Sequence, residues 1–332
     1  MKISFNWLKS YLDFDLTPER TSEILTDTGL EIEGLQKFEE IQDGLEGVVV
    51  GEVLSCEAHP DADRLKVTQV NLGGETVQIV CGAPNVGKGQ KVMVATVGTN
   101  LHPNNGEAFK IKKAKIRGVE SFGMICAEDE LGLGASHEGI LILPDEITIG
   151  TPAAKYYELY TDFQLEIGLT PNRCDAMGHI GVARDLKAFL NFHENQNLSL
   201  KLPDTAIKYS DNKDTDKIKI NIDDASLCPR YIGAILDDIE VKESPKWLKN
   251  RLKSIGLDPV NNVVDVSNFI MYEYGTPMHA FDRSKLGKNI TVKKADKGSS
   301  FKTLDGTERK LSGEELMITS EGKNLCLSLI HI

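Results

Sequence analysis

Residues 261–282 combine amides, hydroxyls and one histidine at a spacing that could build a pocket for a small polar molecule. The apolar members recur at helical spacing and predict a helix over residues 263–274 whose buried face holds Val263, Val266, Phe269 and Ile270. The polar members form a stripe on the other side, made of Asn261, Asp265, Asn268 and Tyr272. Gly275 and Pro277 end the helix and turn the chain, which would bring His279 beside that stripe.

Two interpretations of this stripe are open. The stripe and His279 could hold a substrate or position a water molecule for hydrolysis. Alternatively, Asn261 and Asp265 cap the helix and His279 forms a hydrogen bond within a core, since structural histidines outnumber catalytic ones.

A cationic segment at residues 109–117 is the second group that could do chemistry. Its apolar residues change face between Ile111 and Ala114, which predicts a β-bulge near residues 112–113. The five cations could follow a phosphate backbone, or they could protect a strand edge from pairing with other chains. They are Lys110, Lys112, Lys113, Lys115 and Arg117.

Residues 82–88 match the spacing of a phosphate-binding loop, Gly-x-x-x-x-Gly-Lys. Gly89 stands where a serine or threonine should bind magnesium, and the alternating residues 91–97 predict a strand instead of a helix. We therefore interpret this segment as a turn of a β-barrel.

The composition is that of a soluble globular protein, with 40% hydrophobic and 27% charged residues. The sequence has no apolar run that could span a membrane and no secretory signal at its start, so we expect a cytoplasmic protein. Six scattered cysteines without zinc spacing predict reduced thiols and no metal site. The net charge of −12 excludes a simple nucleic-acid-binding protein unless a local cationic strip or a partner binds the RNA.

The elements that must position these residues fall into several domains, because 332 residues exceed one ordinary core. The pattern of residues 1–38 predicts two helices, and a helical pattern begins again near residue 151. Between them, short β-rich runs at 47–54, 65–72, 76–81, 90–97 and 109–119 predict a small closed barrel. The simplest topology inserts the barrel, residues 39–150, into a discontinuous domain formed by 1–38 and 151–200. A polar linker, 201–217, then leads to a third domain over 218–326.

Several motifs resemble the β subunits of bacterial phenylalanine–tRNA ligases. Residues 59–67, 80–86 and 115–126 are similar to the tRNA-binding barrel of that family, and residues 169–175 and 181–185 to the segment that follows it. The string Pro-Met-His-Ala-Phe-Asp at 277–282 resembles the family's editing domain. The resemblance covers residues 1–326 and implies a multidomain α/β fold. In this fold a five-stranded OB-type β-barrel is inserted in a discontinuous α/β N-terminal domain and is followed by an incomplete α/β editing domain.

The resemblance also implies a function. The family's α subunit carries out the ATP- and Mg²⁺-dependent attachment of phenylalanine, so this chain is expected to bind no cofactor itself. The implied partners are that α subunit, in an α2β2 assembly, and tRNA(Phe), with no membrane. Carried over by motif, the residues of the site that hydrolyses mischarged tyrosyl-tRNA are Ser267, Asn268 and His279. Such a site is useful because a pocket for phenylalanine discriminates weakly against tyrosine, which only adds a hydroxyl.

Two departures from the family pattern raise further expectations. Asp258 stands in the Gly-x-x-Pro turn where the family often has a basic residue, which would weaken a contact to substrate or tRNA. Residues 327–332, Leu-Ser-Leu-Ile-His-Ile, do not resemble the family and are expected to be a non-native tail that leaves the editing site incomplete and the isolated chain inactive.

Two other classes of protein remain as alternatives. One is a stand-alone tRNA-binding OB-fold module without a catalytic role, which co-purification with a catalytic subunit would exclude. The other is an independent hydrolase of mischarged tRNA, which would need a complete pocket.

Overall fold

The computed structural model describes residues 1–104, 106–206, 218–303 and 306–327. Its contacts divide the chain into two compact units, one made of residues 1–34 with 165–332 and the other of residues 35–164. The four-part domain division stays a prediction, and residues 207–217 of the expected linker lie outside the described ranges.

The helices and strands have the following bounds. The helices are α1 (Phe5–Tyr11), α2 (Pro18–Asp27), α3 (Ala153–Tyr156), α4 (His179–His193), α5 (Lys246–Ser254) and α6 (Asn262–Tyr274). The strands up to residue 168 are β1 (Lys2–Ser4), β2 (Glu31–Glu39), β3 (Val48–His59), β4 (Ala62–Asn71), β5 (Thr76–Cys81), β6 (Lys91–Thr96), β7 (Asn100–Leu101), β8 (Phe109–Lys110), β9 (Ala114–Ile116), β10 (Val119–Ser121), β11 (Gly123–Ile125), β12 (Ile142–Leu143) and β13 (Thr161–Gly168). The later strands are β14 (Lys219–Ile222), β15 (Asn289–Lys294), β16 (Ser300–Lys302), β17 (Glu308–Lys310), β18 (Leu316–Ser320) and β19 (Lys323–Leu327).

The unit of residues 35–164 is built on a curved sheet in the order β11-β6-β3-β4-β5, with β12 also paired to β6. The far edge of this sheet meets the segment before β11. There Phe122 N donates to Gln78 O at 2.8 Å, and Gln78 Nε2 donates to Glu120 O at 2.8 Å. These bonds bring the two edges together and are consistent with the predicted OB-type barrel. Val53 of β3 and Val92 and Val94 of β6 lie in one buried cluster with residues of β4, β5 and β11, whereas Val50 and Met93 pack in a second cluster on the other face of the sheet.

Helix α2 of the other unit begins and ends at local sequence signals. Thr17 caps α2 by accepting from Arg20 N, Pro18 is its first residue, and Gly29 follows it with φ +88°. Helices α1 and α2 both pack against α4. On α4 the apolar residues Val182, Leu186 and Leu190 are fully buried, and Phe189 beside them is half-buried. The helical part of this unit is therefore built on local sequence signals.

A four-stranded sheet in the order β14-β15-β18-β19 forms the last part of the chain. Strands β14 and β15 run parallel, and the other pairs are antiparallel. Its core contains Ile290, Val292, Leu316 and Ile318. Leu327 pairs with Met317 at the end of β19, and residues 328–332 of the expected tail lie outside the described ranges. The tail therefore stays a prediction.

Strands β2 and β13 were not expected from the sequence. They form a three-stranded sheet with β1, in the order β1-β13-β2. Glutamate, glutamine and lysine make up more than half of β2, and these residues have low strand propensity, so pairing with β13 decides its conformation. Within the described ranges, no helix combines the length and the apolar character needed to cross a bilayer.

Candidate functional site

Helix α6 carries two of the three predicted pocket residues and is closed at both ends by local interactions. Asn261 accepts from Val263 N at 3.1 Å and from Val264 N at 3.0 Å. At the other end Gly275 adopts φ +77°, and its N–H donates to Met271 O at 2.8 Å. Because both caps are formed by neighbouring residues, the sequence predicts the helix well: the predicted bounds, 263–274, differ from the observed helix only by one residue at its start.

The predicted buried face of α6 is wrong. Val266 was expected in the core and is 46% exposed, whereas the polar Asp265 is 0% exposed and Glu273 is 4% exposed. Asp265, Phe269 and Glu273 are four residues apart and so share one side of the helix. At about 100° per residue, this side lies roughly 70° from the centre of the predicted apolar face. The helix is rotated because its two buried carboxylates find partners on other elements.

Asp265 holds the start of α6 to the segments on either side of α5. Its carboxylate accepts from the Ser244 hydroxyl and from Val260 N, the latter at 2.8 Å. Asn261 therefore caps the helix, as the simpler interpretation predicts, whereas Asp265 does not cap it and instead binds the chain before it.

An aromatic stack joins the middle of α6 to α1 and α4. The Trp7 ring stacks on Phe269 with the centroids 4.5 Å apart, and on His179 with the centroids 3.8 Å apart. The Arg251 guanidinium of α5 lies 5.7 Å from the Trp7 ring and 5.8 Å from the Phe269 ring. A cation near aromatic faces at this distance is attracted by their quadrupoles. Three helices of the same unit are thus joined to α6 around one tryptophan.

A chain of hydrogen bonds connects this stack to the end of α6. Trp7 Nε1 donates to the Tyr11 hydroxyl at 2.7 Å, and the Tyr11 hydroxyl donates to the Glu273 carboxylate. Burial raises the pKa of the Glu273 carboxyl above its ordinary value, while the bond from Tyr11 opposes this shift. Burial and the bond to Glu273 also raise the pKa of Tyr11, so its hydroxyl keeps its proton.

His179 makes a second connection to the end of α6. Its Nδ1 lies 2.7 Å from Tyr272 O and its Nε2 accepts from Ser4 N at 3.0 Å. A carbonyl can only accept, so Nδ1 carries the proton and the ring is neutral. Burial lowers the pKa of His179 to about 3. Tyr272 O is among the last four carbonyls of the helix, which lack partners within it, and His179 satisfies it.

Five connecting residues were not predicted from the sequence, namely Trp7, Tyr11, His179, Arg251 and Glu273. A signal was present: Asp265, Phe269 and Glu273 recur every four residues, as Trp7 and Tyr11 do. Apolar periodicity instead favours the side with Val263, Val266 and Ile270 as the buried face, because these residues are more hydrophobic.

The three predicted pocket residues lie on α6 and on the segment that follows it. The Ser267 hydroxyl donates to Val264 O of its own helix at 2.7 Å. The Asn268 amide is half-buried and forms no hydrogen bond to any other described residue. The His279 ring is half-buried and nearly parallel to the Phe281 ring, with the centroids 6.2 Å apart. That the three residues form one pocket stays a prediction.

His279 differs from His179 in its hydrogen bonding. Its Nε2 is inaccessible to solvent and has no hydrogen-bond partner among the described residues. Burial lowers the pKa of His279 below its ordinary value, so the ring is neutral near pH 7. A neutral imidazole with an unpartnered nitrogen is able to accept a proton or a hydrogen bond from a ligand.

Two cavities of the described chain lie away from these residues. One, of about 730 Å³, is lined by residues of α2 and α4 and by Arg173, which pairs with both Asp175 and Asp185. The other, of about 360 Å³, lies between β3, β4 and the Gly82–Lys88 segment. The segment leads into strand β6, as predicted, so no helix N-terminus follows it for a phosphate.

The cationic segment is interrupted where a bulge was predicted. Strand β8 pairs with β7, and strand β9 pairs with β10, so the chain changes partners between Ile111 and Ala114. Ile111 is buried in the core of the barrel unit, which leaves the neighbouring lysines outside. The change of face in the sequence therefore reflects a change of pairing partner, and the predicted β-bulge is wrong.

The five cations are not equivalent. Lys113 forms an ion pair with Glu120 at 3.0 Å and lies over the Phe122 ring. Arg117 has φ +44° and donates to Asp61 O at 3.3 Å. Lys110, Lys112 and Lys115 form no ion pair with any described residue and are exposed. The unpaired positive charge of the segment thus comes mainly from these three lysines.

Among the described residues, no three histidine, cysteine or acidic side chains are grouped to hold a metal ion.

Comparison with known proteins identifies two domains in the chain. Residues 48–152 match the family model described as "Putative tRNA binding domain", and residues 227–331 match the model described as "B3/4 domain". Over 31% of its length the chain is also similar to the crystal structure of a MetRS-related protein from Pyrococcus horikoshii, at 25% identity, but the TM-score is only 0.23.

Similarity to β subunits of phenylalanine–tRNA ligases extends over nearly the whole chain. Those of Bacteroides fragilis and Porphyromonas gingivalis are 50% and 49% identical to it over 330 and 331 residues, which is 99% of this chain and 40% of each relative. That of Geobacter metallireducens is 42% identical over 329 residues. The chain is therefore similar to phenylalanine–tRNA ligase β subunits over nearly its whole length, and it spans about 40% of the length of these relatives.

Proposed function

We propose that this chain acts as part of the β subunit of a phenylalanine–tRNA ligase, which attaches phenylalanine to tRNA(Phe) in the cytoplasm with ATP and Mg²⁺. Its partner in this proposal is the α subunit, in an α2β2 assembly, and the α subunit supplies the site that uses ATP. The observation that carries the proposal is the similarity to β subunits over nearly the whole chain.

Within that enzyme, we assign α6 and the following turn to the site that hydrolyses mischarged tyrosyl-tRNA. The proposed site residues are Ser267, Asn268 and His279. Support comes from His279, whose enclosed Nε2 has no partner among the described residues and whose ring is neutral because burial lowers its pKa. Such a nitrogen could accept a hydrogen bond from the tyrosine hydroxyl, a group that phenylalanine lacks. Alternatively, it could position the attacking water.

The assembled enzyme provides the test of this assignment. We expect His279→Ala to slow the deacylation of tyrosyl-tRNA by about 100-fold, the usual contribution of one positioned acid–base group. Attachment of phenylalanine should stay unchanged, because the α subunit carries it out. His193→Ala is the matched control, since His193 is an exposed histidine of the same unit. A His279→Ala enzyme that deacylates at the wild-type rate would refute the assignment.

The barrel supports a role in tRNA binding in the same enzyme. Its sequence matches a tRNA-binding family model, and three exposed lysines of the cationic segment have no acidic partner among the described residues. A stand-alone tRNA-binding module is the competing function. Co-purification separates the two, since a β-subunit part should retain the α subunit from extracts of the source organism and a stand-alone module should not.

A further inference from the structure

The connections of α6 to α1 and α4 carry an inference about how the proposed site is held. Two of the buried side chains of α6 are carboxylates, Asp265 and Glu273. They are eight residues apart, which is about 12 Å along the helix axis. One is bound at the start of the helix by Ser244 and Val260, and the other near its end by Tyr11.

Carboxylates fix a helix in a way that aliphatic side chains do not. Apolar contact is non-directional, so it constrains the orientation of a helix less sharply than hydrogen bonds do. A buried carboxylate is costly without its partners, and its hydrogen bonds demand a narrow range of distance and angle. Bonds of this kind at two points, with His179 on Tyr272 O as a third, fix both the rotation and the axial position of α6.

The predicted pocket residues lie on the part of α6 that these bonds leave accessible. At about 100° per residue, Asn268 is about 100° and Ser267 about 160° around the helix from Phe269, the residue that stacks on Trp7. A small rotation of α6 would therefore move both residues relative to His279, which lies beyond the helix. The directional bonds on the opposite side oppose such a rotation, together with the stack of Phe269 on Trp7.

We propose that Trp7, Tyr11 and Glu273 are positioning residues for the hydrolysis of mischarged tRNA, because their hydrogen-bonded chain sets the orientation of α6 and hence of Ser267 and Asn268. This inference rests on the proposed function. It extends the site beyond the editing segment to α1, more than 250 residues earlier in the sequence. These three residues touch neither substrate nor tRNA in this proposal and act only through α6.

The test removes one hydroxyl from the chain of bonds. In the assembled enzyme, Tyr11→Phe keeps the ring but leaves the Glu273 carboxylate and Trp7 Nε1 without a partner. We expect kcat for tyrosyl-tRNA deacylation to fall by about 10-fold or more, since displacements below 1 Å are costly at such sites, and KM for the tRNA to change less than about twofold. Attachment of phenylalanine should be unaffected.

Two controls separate positioning from general loss of stability. Tyr274→Phe removes a hydroxyl from an exposed tyrosine of the same helix and should leave deacylation unchanged. Ile24→Val destabilises the same unit through a buried residue of α2 and should also leave deacylation unchanged well below the unfolding temperature. Trp7→Phe removes the Nε1 donor at the other end of the hydrogen-bonded chain. It should slow deacylation in the same way, and it replaces Tyr11→Phe in the test if Tyr11→Phe does not assemble.

The outcomes distinguish this inference from the proposed function on which it rests. If His279→Ala abolishes deacylation while Tyr11→Phe and Trp7→Phe deacylate at the wild-type rate, the site is correct and the positioning role is refuted. The positioning role is also refuted if Ile24→Val, at the same loss of stability, slows deacylation as much as Tyr11→Phe does. If the wild-type enzyme does not hydrolyse tyrosyl-tRNA, the proposed site and the positioning role both fail.

Discussion

Two histidines of this chain have opposite environments, although both lie close to α6. His179 uses both ring nitrogens, one toward Tyr272 O and one toward Ser4 N, whereas Nε2 of His279 has no partner among the described residues. The sequence around them does not separate the two cases, because the partners of His179 lie 175 and 93 residues away. Nε2 of His279 therefore keeps a hydrogen-bonding capacity that both nitrogens of His179 have already used.

The neutral state of His179 predicts a pH dependence of stability. In the unfolded chain its pKa is about 6.5. In the folded protein burial lowers it to about 3, so between these values the unfolded chain binds one proton more. The free energy of unfolding should therefore decrease as the pH falls below about 6.5, by up to about 1.4 kcal/mol per pH unit from this residue.

Urea unfolding between about pH 7 and pH 5 measures this contribution. His179→Gln keeps an acceptor and a donor but does not titrate, so its stability should decrease less than that of the wild type over this range. His193→Gln replaces an exposed histidine of the same unit and should follow the wild type. Parallel curves for the wild type and His179→Gln would contradict the prediction.

For the single element α6, the sequence predicts the position and the ends of the helix but not its buried face. The helix and its ends were predictable because Asn261 and Gly275 are local signals whose geometry depends on adjacent residues. Its buried face was not, because the choice between the valine side and the Asp265–Glu273 side depends on Trp7, Tyr11 and His179. Those partners lie far away in the sequence, and carboxylates are rarely buried without them. Of the pocket residues, Asn268 and His279 were indicated by the polar stripe and the turn after it, whereas Ser267 came from resemblance alone, and their mutual distances stay a prediction.

The contact between the start of α4 and the end of α6 leads to a prediction about Gly178. A Cβ atom on this residue would lie 2.7 Å from Glu273 O and 2.8 Å from Gly275 N, which are backbone atoms. We expect Gly178→Ala to lower the free energy of unfolding by about 1–3 kcal/mol, because the two helix ends would have to separate. Urea unfolding of the purified protein provides the measurement.

Gly34→Ala is the control for this substitution. Gly34 lies in the same unit, and its Cβ would meet the Glu166 side chain at 3.6 Å, an ordinary contact. The control should change the stability by no more than about 0.5 kcal/mol. Equal stability changes in the two variants would mean that α4 and α6 do not approach each other as closely as described.

At the scale of the whole molecule, the barrel was predictable in outline because antiparallel strands joined by short turns leave local signals. Four of the five predicted runs correspond to β3, β4, β5 and β6. The fifth was predicted as one bent strand and is two short strands, β8 and β9, with different partners. Pairing partners in a barrel are set by closure of the sheet, which composition and alternation do not encode. The same limitation explains why β2 and β13 were missed.

The change of partners within the cationic segment affects how its tRNA binding should be tested. Lys113 is already paired with Glu120, so the lysines that remain for phosphates are Lys110, Lys112 and Lys115. If these residues contact tRNA in the assembled enzyme, binding releases counterions, and the affinity falls steeply with salt. Replacing the three with glutamine should reduce the slope of log affinity against log salt by about 2, since each lost phosphate contact removes somewhat less than one unit.

A matched triple replacement distinguishes this role from protection of a strand edge. Lys37, Lys88 and Lys155 are exposed lysines of the same unit outside the segment, and their replacement with glutamine changes the net charge equally. If the segment binds tRNA, only the first triple variant should flatten the salt dependence, because long-range charge effects would alter both variants alike. If the segment instead protects an edge, the slope should stay at the wild-type value, while sedimentation should detect self-association of the first variant, since neutral β8 and β9 edges would be free to pair between molecules.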